Sequence, residues 1–123
     1  MKVLIVDDEE DIRKIARLSL ERVGGMQVIE ASTGADGVRL AASETPDAIL
    51  LDVMMPALDG PGTLRLLREN AETESIPVVF LTAKAMPSEL DRLKGLGARG
   101  VLTKPFDPMT LPARFREVLA EKS

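Results

Sequence analysis

Acidic side chains stand directly after two short apolar runs of the chain. Asp7 and Asp8 follow the run 3–6, and Asp52 follows the run 48–51. The chain contains no His and no Cys, which excludes imidazole bases, thiol nucleophiles, disulfides and thiolate metal sites. Polar chemistry therefore falls to carboxylates, hydroxyls and cationic side chains, and these three aspartates are the first candidates.

A hydroxyl and an ammonium group follow two further apolar runs. Thr82 directly follows the run 76–81, and Lys104 directly follows the run 100–103. Carboxylates held close together raise one another's pKa, and a hard cation such as Mg²⁺ or a nearby lysine offsets that charge. The metal would screen an incoming phosphoryl group while a carboxylate attacks phosphorus. Lys104 and Thr82 are placed to contact the phosphoryl oxygens.

These polar residues end strands in a regular alternation of strand and helix patterns. Short apolar runs predict five strands, at residues 2–6, 26–31, 47–51, 76–81 and 100–103. Helices are predicted at residues 10–23, between the N-cap Thr33 and Pro46, at 62–70, from Pro87 to near Gly95 or Gly97, and at 110–121. The inner face of the first helix is predicted to hold Ile12, Ile15, Ala16, Ser19 and Val23.

The alternation predicts an α/β fold with a doubly wound, five-stranded parallel sheet and helices on both faces. The middle strands lack alternating polarity, as expected where both sheet faces are covered. In the flavodoxin-like (βα)5 order 2-1-3-4-5, strands one and three are neighbours, so Asp7, Asp8 and Asp52 share one pocket. No linker or repeat divides the chain, and residues 1–123 are predicted to form a single domain.

Composition limits the partners and the location. Hydrophobic residues make up 45% of the chain, and its formal net charge is -4 with no basic run. Direct binding of nucleic acid is not expected from that charge. The apolar runs are too short to insert into a membrane, and the N-terminus lacks a secretory signal. A cytoplasmic protein is expected.

The sequence resembles the receiver domain of two-component response regulators from end to end. The matching motifs are Val6-Asp7-Asp8, Asp52-Val53-Met54-Met55-Pro56 with Asp59-Gly60, Leu81-Thr82-Ala83, and Thr103-Lys104-Pro105-Phe106. Each motif alone is weakly specific, whereas all four in order at strand ends are highly specific.

The resemblance implies a role for each site residue. Asp52 is the phospho-acceptor, and Lys104 pairs with it or with the phosphoryl oxygens. Thr82 is the hydroxyl that moves toward the phosphoryl group, and the Lys104-Pro105 bond is cis. The implied ligands of Mg²⁺ are Asp7, Asp8, Asp52 and the backbone carbonyl of Met54.

The resemblance also implies partners. The phosphoryl donor is a histidine kinase or a histidine phosphotransfer protein, since this chain has no His of its own. Output is expected through an unidentified protein that binds the face of the fourth helix, fifth strand and fifth helix. No effector domain follows Ser123, so a separate output partner and a stand-alone receiver are expected.

Two segments depart from the family pattern. Val101 stands where receivers usually carry Tyr or Phe, the aromatic that swings inward when the threonine moves. The hypothesis is that Thr82 still moves while the surface near Val101 changes by backbone shift and packing. Pro61-Gly62 replaces the usual larger residues after the Asp-Gly turn.

Three alternatives remain open beside the phosphorylatable switch. A Mg²⁺-dependent phosphohydrolase would place a second Asp two residues after its nucleophile, but Met54 and Glu9 occupy those positions after Asp52 and Asp7. A phosphorylation-independent interaction module with the receiver fold would usually have lost the acceptor, the acids or the lysine. A flavin-binding domain would need aromatic residues around the ring, and the chain has no Trp or Tyr.

Overall fold

A computed structural model describes residues 1–121 of the chain. The strands are β1 (Lys2–Val6), β2 (Gln27–Ala31), β3 (Ala48–Asp52), β4 (Val78–Thr82) and β5 (Gly100–Thr103). The helices are α1 (Glu10–Leu18), α2 (Gly34–Glu44), α3 (Gly60–Glu69), α4 (Pro87–Lys94) and α5 (Leu111–Ala120). The last two residues of the predicted domain, 122 and 123, lie outside the described part, and the single domain 1–123 stays a prediction.

The predicted sheet is confirmed. All neighbouring strands are parallel, and their order is β2-β1-β3-β4-β5. Every residue of β3 and β4 is buried, because helices cover both faces of the sheet at its centre. This order places the carboxyl ends of β1 and β3 side by side, which is the condition for the predicted pocket.

Two apolar cores flank the sheet. On one face, side chains from α2, α3 and α4 pack on the strands, among them Ala41, Leu64, Leu67 and Leu93. On the other face, residues of α1 and α5 and of the turn after α1 do so, among them Ala16, Leu20, Leu111 and Phe115. Among residues 1–121, no helix has the length and apolar character that crossing a membrane requires.

The inner face predicted for the first helix is partly wrong. Ala16 and Ser19 are buried, but Ile15 and Val23 are 42% and 46% exposed, and Leu20 is buried instead. For Val23 the physical reason is a π-helical turn, Ser19–Val23, in which Gly24 N–H donates to the carbonyl of Ser19 at 3.2 Å. Ile15 lies before this turn, within α1, outside the buried face of that helix. This wider turn rotates the chain, so the ordinary helical period fails beyond α1.

Side-chain caps explain where two helices begin. Thr33 caps α2 as predicted, since its Oγ1 accepts from Asp36 N–H at 3.0 Å. Helix α3 begins at Gly60, two residues earlier than predicted, because Asp59 Oδ1 accepts from Gly62 N–H at 2.8 Å. Because of this cap, the loop after Asp52 is two residues shorter than predicted.

Candidate functional site

The adjacency of β1 and β3 brings three aspartates together. Val6 pairs with Leu51 in the sheet, so Asp7 and Asp52 leave neighbouring strands at the same level. Asp7 is 1% exposed and Asp52 is 3% exposed, whereas Asp8 is exposed. One carboxylate oxygen from each of the three lies within 4.8 Å of the others. The predicted acidic pocket is therefore present, with two carboxylates inside it and one at its rim.

The buried carboxylates are incompletely satisfied. Asp7 Oδ1 accepts from Glu9 N–H at 2.9 Å, but Asp7 Oδ2 and Asp52 Oδ2 are buried and accept no hydrogen bond. Leaving a buried acceptor unpaired costs about 1–3 kcal/mol, and more for a charged group. Oxygen-only donors with uncompensated negative charge suit a hard cation such as Mg²⁺. The residues present therefore fit a Mg²⁺ site.

Lys104 is the cation of the pocket. Its Nζ lies 3.2 Å from Asp7 Oδ2 and 3.2 Å from Asp52 Oδ1, and its side chain is 11% exposed. The contact with Asp7 Oδ2 is an ion pair without hydrogen-bond geometry. Among the described residues, Glu9 Oε1 is the acceptor of a hydrogen bond from Nζ, at 3.2 Å. The Lys104-Pro105 bond is cis, as predicted. One ammonium thus faces two buried carboxylates.

Burial and charge shift the pKa of each buried group. Desolvation, then repulsion from Asp7, raises the pKa of Asp52 from 3.8 to about 6, against the opposing attraction of Lys104. Desolvation also raises the pKa of Asp7, although the Glu9 N–H and Lys104 oppose it. For Lys104, desolvation lowers the pKa, but attraction to Asp7 and Asp52 outweighs it, and the pKa is raised. One lysine therefore does not neutralise the pocket.

Thr82 closes the pocket at the end of β4. Asp52 pairs with Leu81 in the sheet, so Thr82 lies one residue beyond the partner of Asp52. The threonine is 1% exposed, and its Oγ1 accepts from Lys84 N–H at 3.0 Å. Its carbonyl accepts from Lys104 N–H at 2.7 Å, which ties the end of β4 to the chain leaving β5. The acid, the hydroxyl and the ammonium thus come from adjacent strands.

Comparison with known proteins decides the family. Residues 3–116 match the response regulator receiver domain family. The chain belongs to that family. This receiver domain is a phospho-accepting signalling module of two-component systems rather than a conventional enzyme, and its acidic pocket of Asp7, Asp8 and Asp52 with Lys104 is typical of such a switch.

Relatives of this receiver domain differ in length. It is 42% identical to the protein PilH of Pseudomonas aeruginosa, over 97% of this chain and 98% of PilH. It is also 42% identical to PhoP of Bacillus subtilis, an alkaline phosphatase synthesis transcriptional regulatory protein, over 96% of this chain but 48% of PhoP. The chain therefore spans about half the length of some curated relatives and nearly all of others.

Solved structures share the fold. The chemotaxis response regulator CheY4 of Vibrio cholerae superposes with a TM-score of 0.87 at 32% identity, covering 95% of this chain and 97% of that one. A putative response regulator from Chloroflexus aurantiacus gives the same TM-score of 0.87 and 32% identity, with 98% of each chain covered. The match is thus to whole receiver domains and not to a fragment of them.

Two side chains that were not predicted from the sequence contact residues of the receiver pocket. Glu9 is not among the predicted site residues, yet its Oε1 accepts the hydrogen bond from Lys104 described above. Arg13 donates from Nη1 to the carbonyl of Asp7 at 2.9 Å and from Nε to Glu30 at 2.9 Å. Its position one helical turn after Glu9, beside Asp7, is the only local signal for this contact.

Two further positions of the receiver pattern are placed by the structure. Met54 lies in the loop after β3, and its side chain is 61% exposed. Val101, which stands in place of the expected aromatic, is half-buried on β5, pairs with Phe80 and packs against the core on the α2–α4 face. No aromatic side chain is therefore available at this position to swing between surface and interior.

Proposed function

We propose that Asp52 accepts a phosphoryl group from the phosphohistidine of a histidine kinase or a histidine phosphotransfer protein. A carboxylate oxygen of Asp52 forms the new bond to phosphorus, and the bond from phosphorus to the imidazole nitrogen breaks. The electron pair of that bond stays on the imidazole, which takes up a proton. The product is an acyl phosphate on Asp52, and water later hydrolyses it.

The observation that supports this assignment is the state of the Asp52 carboxylate. It is buried at a strand end, one oxygen accepts no hydrogen bond, and the other faces the ammonium of Lys104 at 3.2 Å. A carboxylate paired only for structure would have both oxygens satisfied. The unpaired oxygen of Asp52 is free to act as the nucleophile.

Lys104 and Thr82 supply the polar contacts around the phosphoryl group. Lys104 bridges Asp7 and Asp52 before phosphorylation. After phosphorylation its ammonium group pairs with a phosphoryl oxygen. Thr82 has its Oγ1 engaged as an acceptor from Lys84 N–H, so its own proton is available for donation. The proposed movement of Thr82 toward the phosphoryl group carries the signal into β4 and α4.

Asp7, Asp8, Asp52 and the backbone carbonyl of Met54 are the proposed ligands of Mg²⁺. When bound, Mg²⁺ offsets the carboxylate charge and stabilises the charge of the transferring group. The three aspartates supply oxygens within 4.8 Å of one another, and the unpaired oxygens of Asp7 and Asp52 provide the unused donors. Asp8, which is exposed, reaches the ion from the rim of the pocket.

The proposed output is binding of a separate protein through the face of α4, β5 and α5. The added charge on Asp52 biases a two-state equilibrium of this face. We place the exchange in the cytoplasm, where the phosphohistidine donors of this family act.

Intact-mass measurement tests the acceptor. The protein is incubated with Mg²⁺ and acetyl phosphate, as wild type, Asp52→Asn and the matched control Asp91→Asn, which alters an exposed Asp on α4. The expected result is one added phosphoryl group in wild type and in the control, and none in Asp52→Asn. An adduct that survives Asp52→Asn, or no adduct with either acetyl phosphate or a competent kinase, contradicts the proposal.

A further inference from the structure

Helix α3 has a neighbour on one side only. It packs against α2, whereas it makes few contacts with α4. The resulting gap is a groove of about 450 Å³ along α3, lined by Pro61, Gly62, Leu64, Arg65, Arg68 and Leu96. The Pro61-Gly62 pair, which departs from the predicted family pattern, is part of its lining. Helices α3 and α4 thus cover the sheet here but leave an open groove between them.

A second groove continues the first beyond Arg68. It has a volume of about 230 Å³ and contains Lys94 and Arg99, with Arg68 shared between the two. We call the two together the α3–α4 basic groove, defined by Arg65, Arg68, Lys94, Arg99 and Leu96. Its far end lies at the start of β4 and β5, the edge of the sheet opposite the acidic pocket.

Unpaired positive charge is concentrated in this groove. Of the fifteen Lys and Arg side chains within residues 1–121, seven lie within 4 Å of a carboxylate and eight do not. Four of those eight define the groove. Outside the groove, seven of the other eleven described cations pair with a carboxylate, and the whole chain carries a net charge of -4. The groove is a positive region on an acidic protein.

Backbone carbonyls, not acids, hold the two inner guanidinium groups. Arg68 donates to the carbonyl of Ile76 at 2.9 Å and to that of Gly97 at 3.4 Å. Arg99 donates to the carbonyl of Leu119. Burial, then repulsion from Arg99, lowers the pKa of Arg68, in keeping with a local excess of positive charge. These contacts fix the side chains and leave their charge uncompensated.

The same groove has an apolar strip, formed by half-buried Pro61 and by Leu96, which is 43% exposed. Leu64, at 1% exposure, packs beneath it. A partner that offers only carboxylates would leave the apolar strip exposed to water. A purely apolar partner would leave the cations of the groove without a counter-charge. The complementary surface carries apolar side chains in one line with acidic side chains beside them.

We propose that the α3–α4 basic groove is a docking site for an acidic amphipathic segment of a partner protein. Apolar side chains of the segment cover Pro61 and Leu96, while its carboxylates pair with Arg65 and Lys94, which are exposed and free to reorient. The net charge of -4 and the apolar strip both disfavour a nucleic acid here. Because the groove and the acidic pocket lie at opposite edges, both can be occupied together.

The test uses a synthetic helical peptide with leucines along one face and glutamates on both flanks, and a matched peptide with lysines in place of the glutamates. Titration into the ¹⁵N-labelled protein is followed by amide chemical shifts, and the affinity by fluorescence anisotropy. The expected result is binding of the acidic peptide only, with shifts at Gly62, Arg65, Leu96 and Gly97. Binding weakens with added salt.

Charge and apolar variants separate the two parts of the site. Arg65→Glu with Lys94→Glu is expected to weaken binding by about tenfold or more, which is about 1.4 kcal/mol. The control is Arg22→Glu with Arg114→Glu, which changes the net charge equally and alters two unpaired arginines outside the groove. Leu96→Ser is expected to weaken binding as well, while Leu18→Ser, at a leucine 50% exposed on α1, leaves it unchanged.

Several outcomes overturn the proposal. These are no binding of the acidic peptide, shifts that map elsewhere, equal binding of the basic peptide, or equal losses in the groove variant and its control. Tighter binding of a single-stranded oligonucleotide at the same residues would assign the groove to nucleic acid instead. A mass that rises with protein concentration, and is lost in the groove variant, would assign it to a second copy of this chain.

Discussion

Arg13 Nη1 donates a hydrogen bond to the backbone carbonyl of Asp7 at 2.9 Å. The same guanidinium is held by Glu30, which also pairs with Arg17 at 2.6 Å. A side chain of α1, anchored on β2, therefore fixes the backbone of a residue whose carboxylate lies in the acidic pocket. The contact orients a proposed Mg²⁺ ligand without itself touching the ion.

Removing this contact is expected to weaken Mg²⁺ binding. We expect Arg13→Gln to lower the affinity for Mg²⁺ by about tenfold, because the Asp7 carbonyl loses its donor and the turn after β1 loosens. Isothermal titration calorimetry with MgCl₂ measures this. Arg17→Gln is the matched control, since Arg17 shares Glu30 but not Asp7. Equal losses in both variants would show that the network acts on overall stability only.

Replacing Asp52 is expected to stabilise the protein without Mg²⁺. The pKa of Asp52 is raised from 3.8 to about 6, so the folded state binds more protons than the unfolded state between these values. The free energy of unfolding of wild type therefore falls as the pH rises through this window, by about 3 kcal/mol at most. Asp52→Asn removes that loss and is expected to be more stable at pH 7 by up to about this amount.

Urea unfolding of wild type and Asp52→Asn at a series of pH values checks this prediction. The two curves are expected to converge near the ordinary pKa of Asp, to separate as the pH rises from there to ~6, and to stay a constant distance apart at higher pH. Added Mg²⁺ is expected to stabilise wild type more than Asp52→Asn. A difference between the proteins that is independent of pH would contradict the electrostatic explanation.

Binding of Mg²⁺ is expected to depend on pH through the same carboxylate. Protonated Asp52 is not a ligand, so the affinity should fall by about tenfold per unit as the pH drops below ~6. The pKa of Asp7 is raised as well and adds to the fall at lower pH. Calorimetric titration between neutral and mildly acidic pH measures it. A flat profile through this range would mean that Asp52 is not a ligand.

Transmission is expected to work without an aromatic at position 101. Val101 is half-buried beside Phe80, so it offers no side chain that can swing inward from the surface. We expect a phosphoryl mimic to shift the backbone after β4 and along β5, and Thr82→Ala to remove most of that shift. Crystal structures of both proteins with and without the mimic test this. Identical backbones in wild type would contradict the hypothesis.

Much of the fold and the site followed from local patterns. The strands were predicted within one or two residues at each end, because short apolar runs between turn residues are a local signal. The aspartates, Thr82 and Lys104 were predicted because each follows such a run. The exposure of Val23 was not predicted, since the π-helical turn at Ser19–Val23 breaks the helical period on which the predicted inner face depends.

The sequence by itself determined which polar groups end the strands and which chemistry they offer. That information is local, since an apolar run and the residue after it are read together. Only the tertiary structure decided that Glu9 reaches Lys104, that Arg13 holds the Asp7 carbonyl, and that cations of α3 and of the segment before β5 meet in one groove. These contacts depend on side-chain direction and on how the helices pack across the sheet. Neither side-chain direction nor helix packing can be inferred from the spacing of residues along the chain.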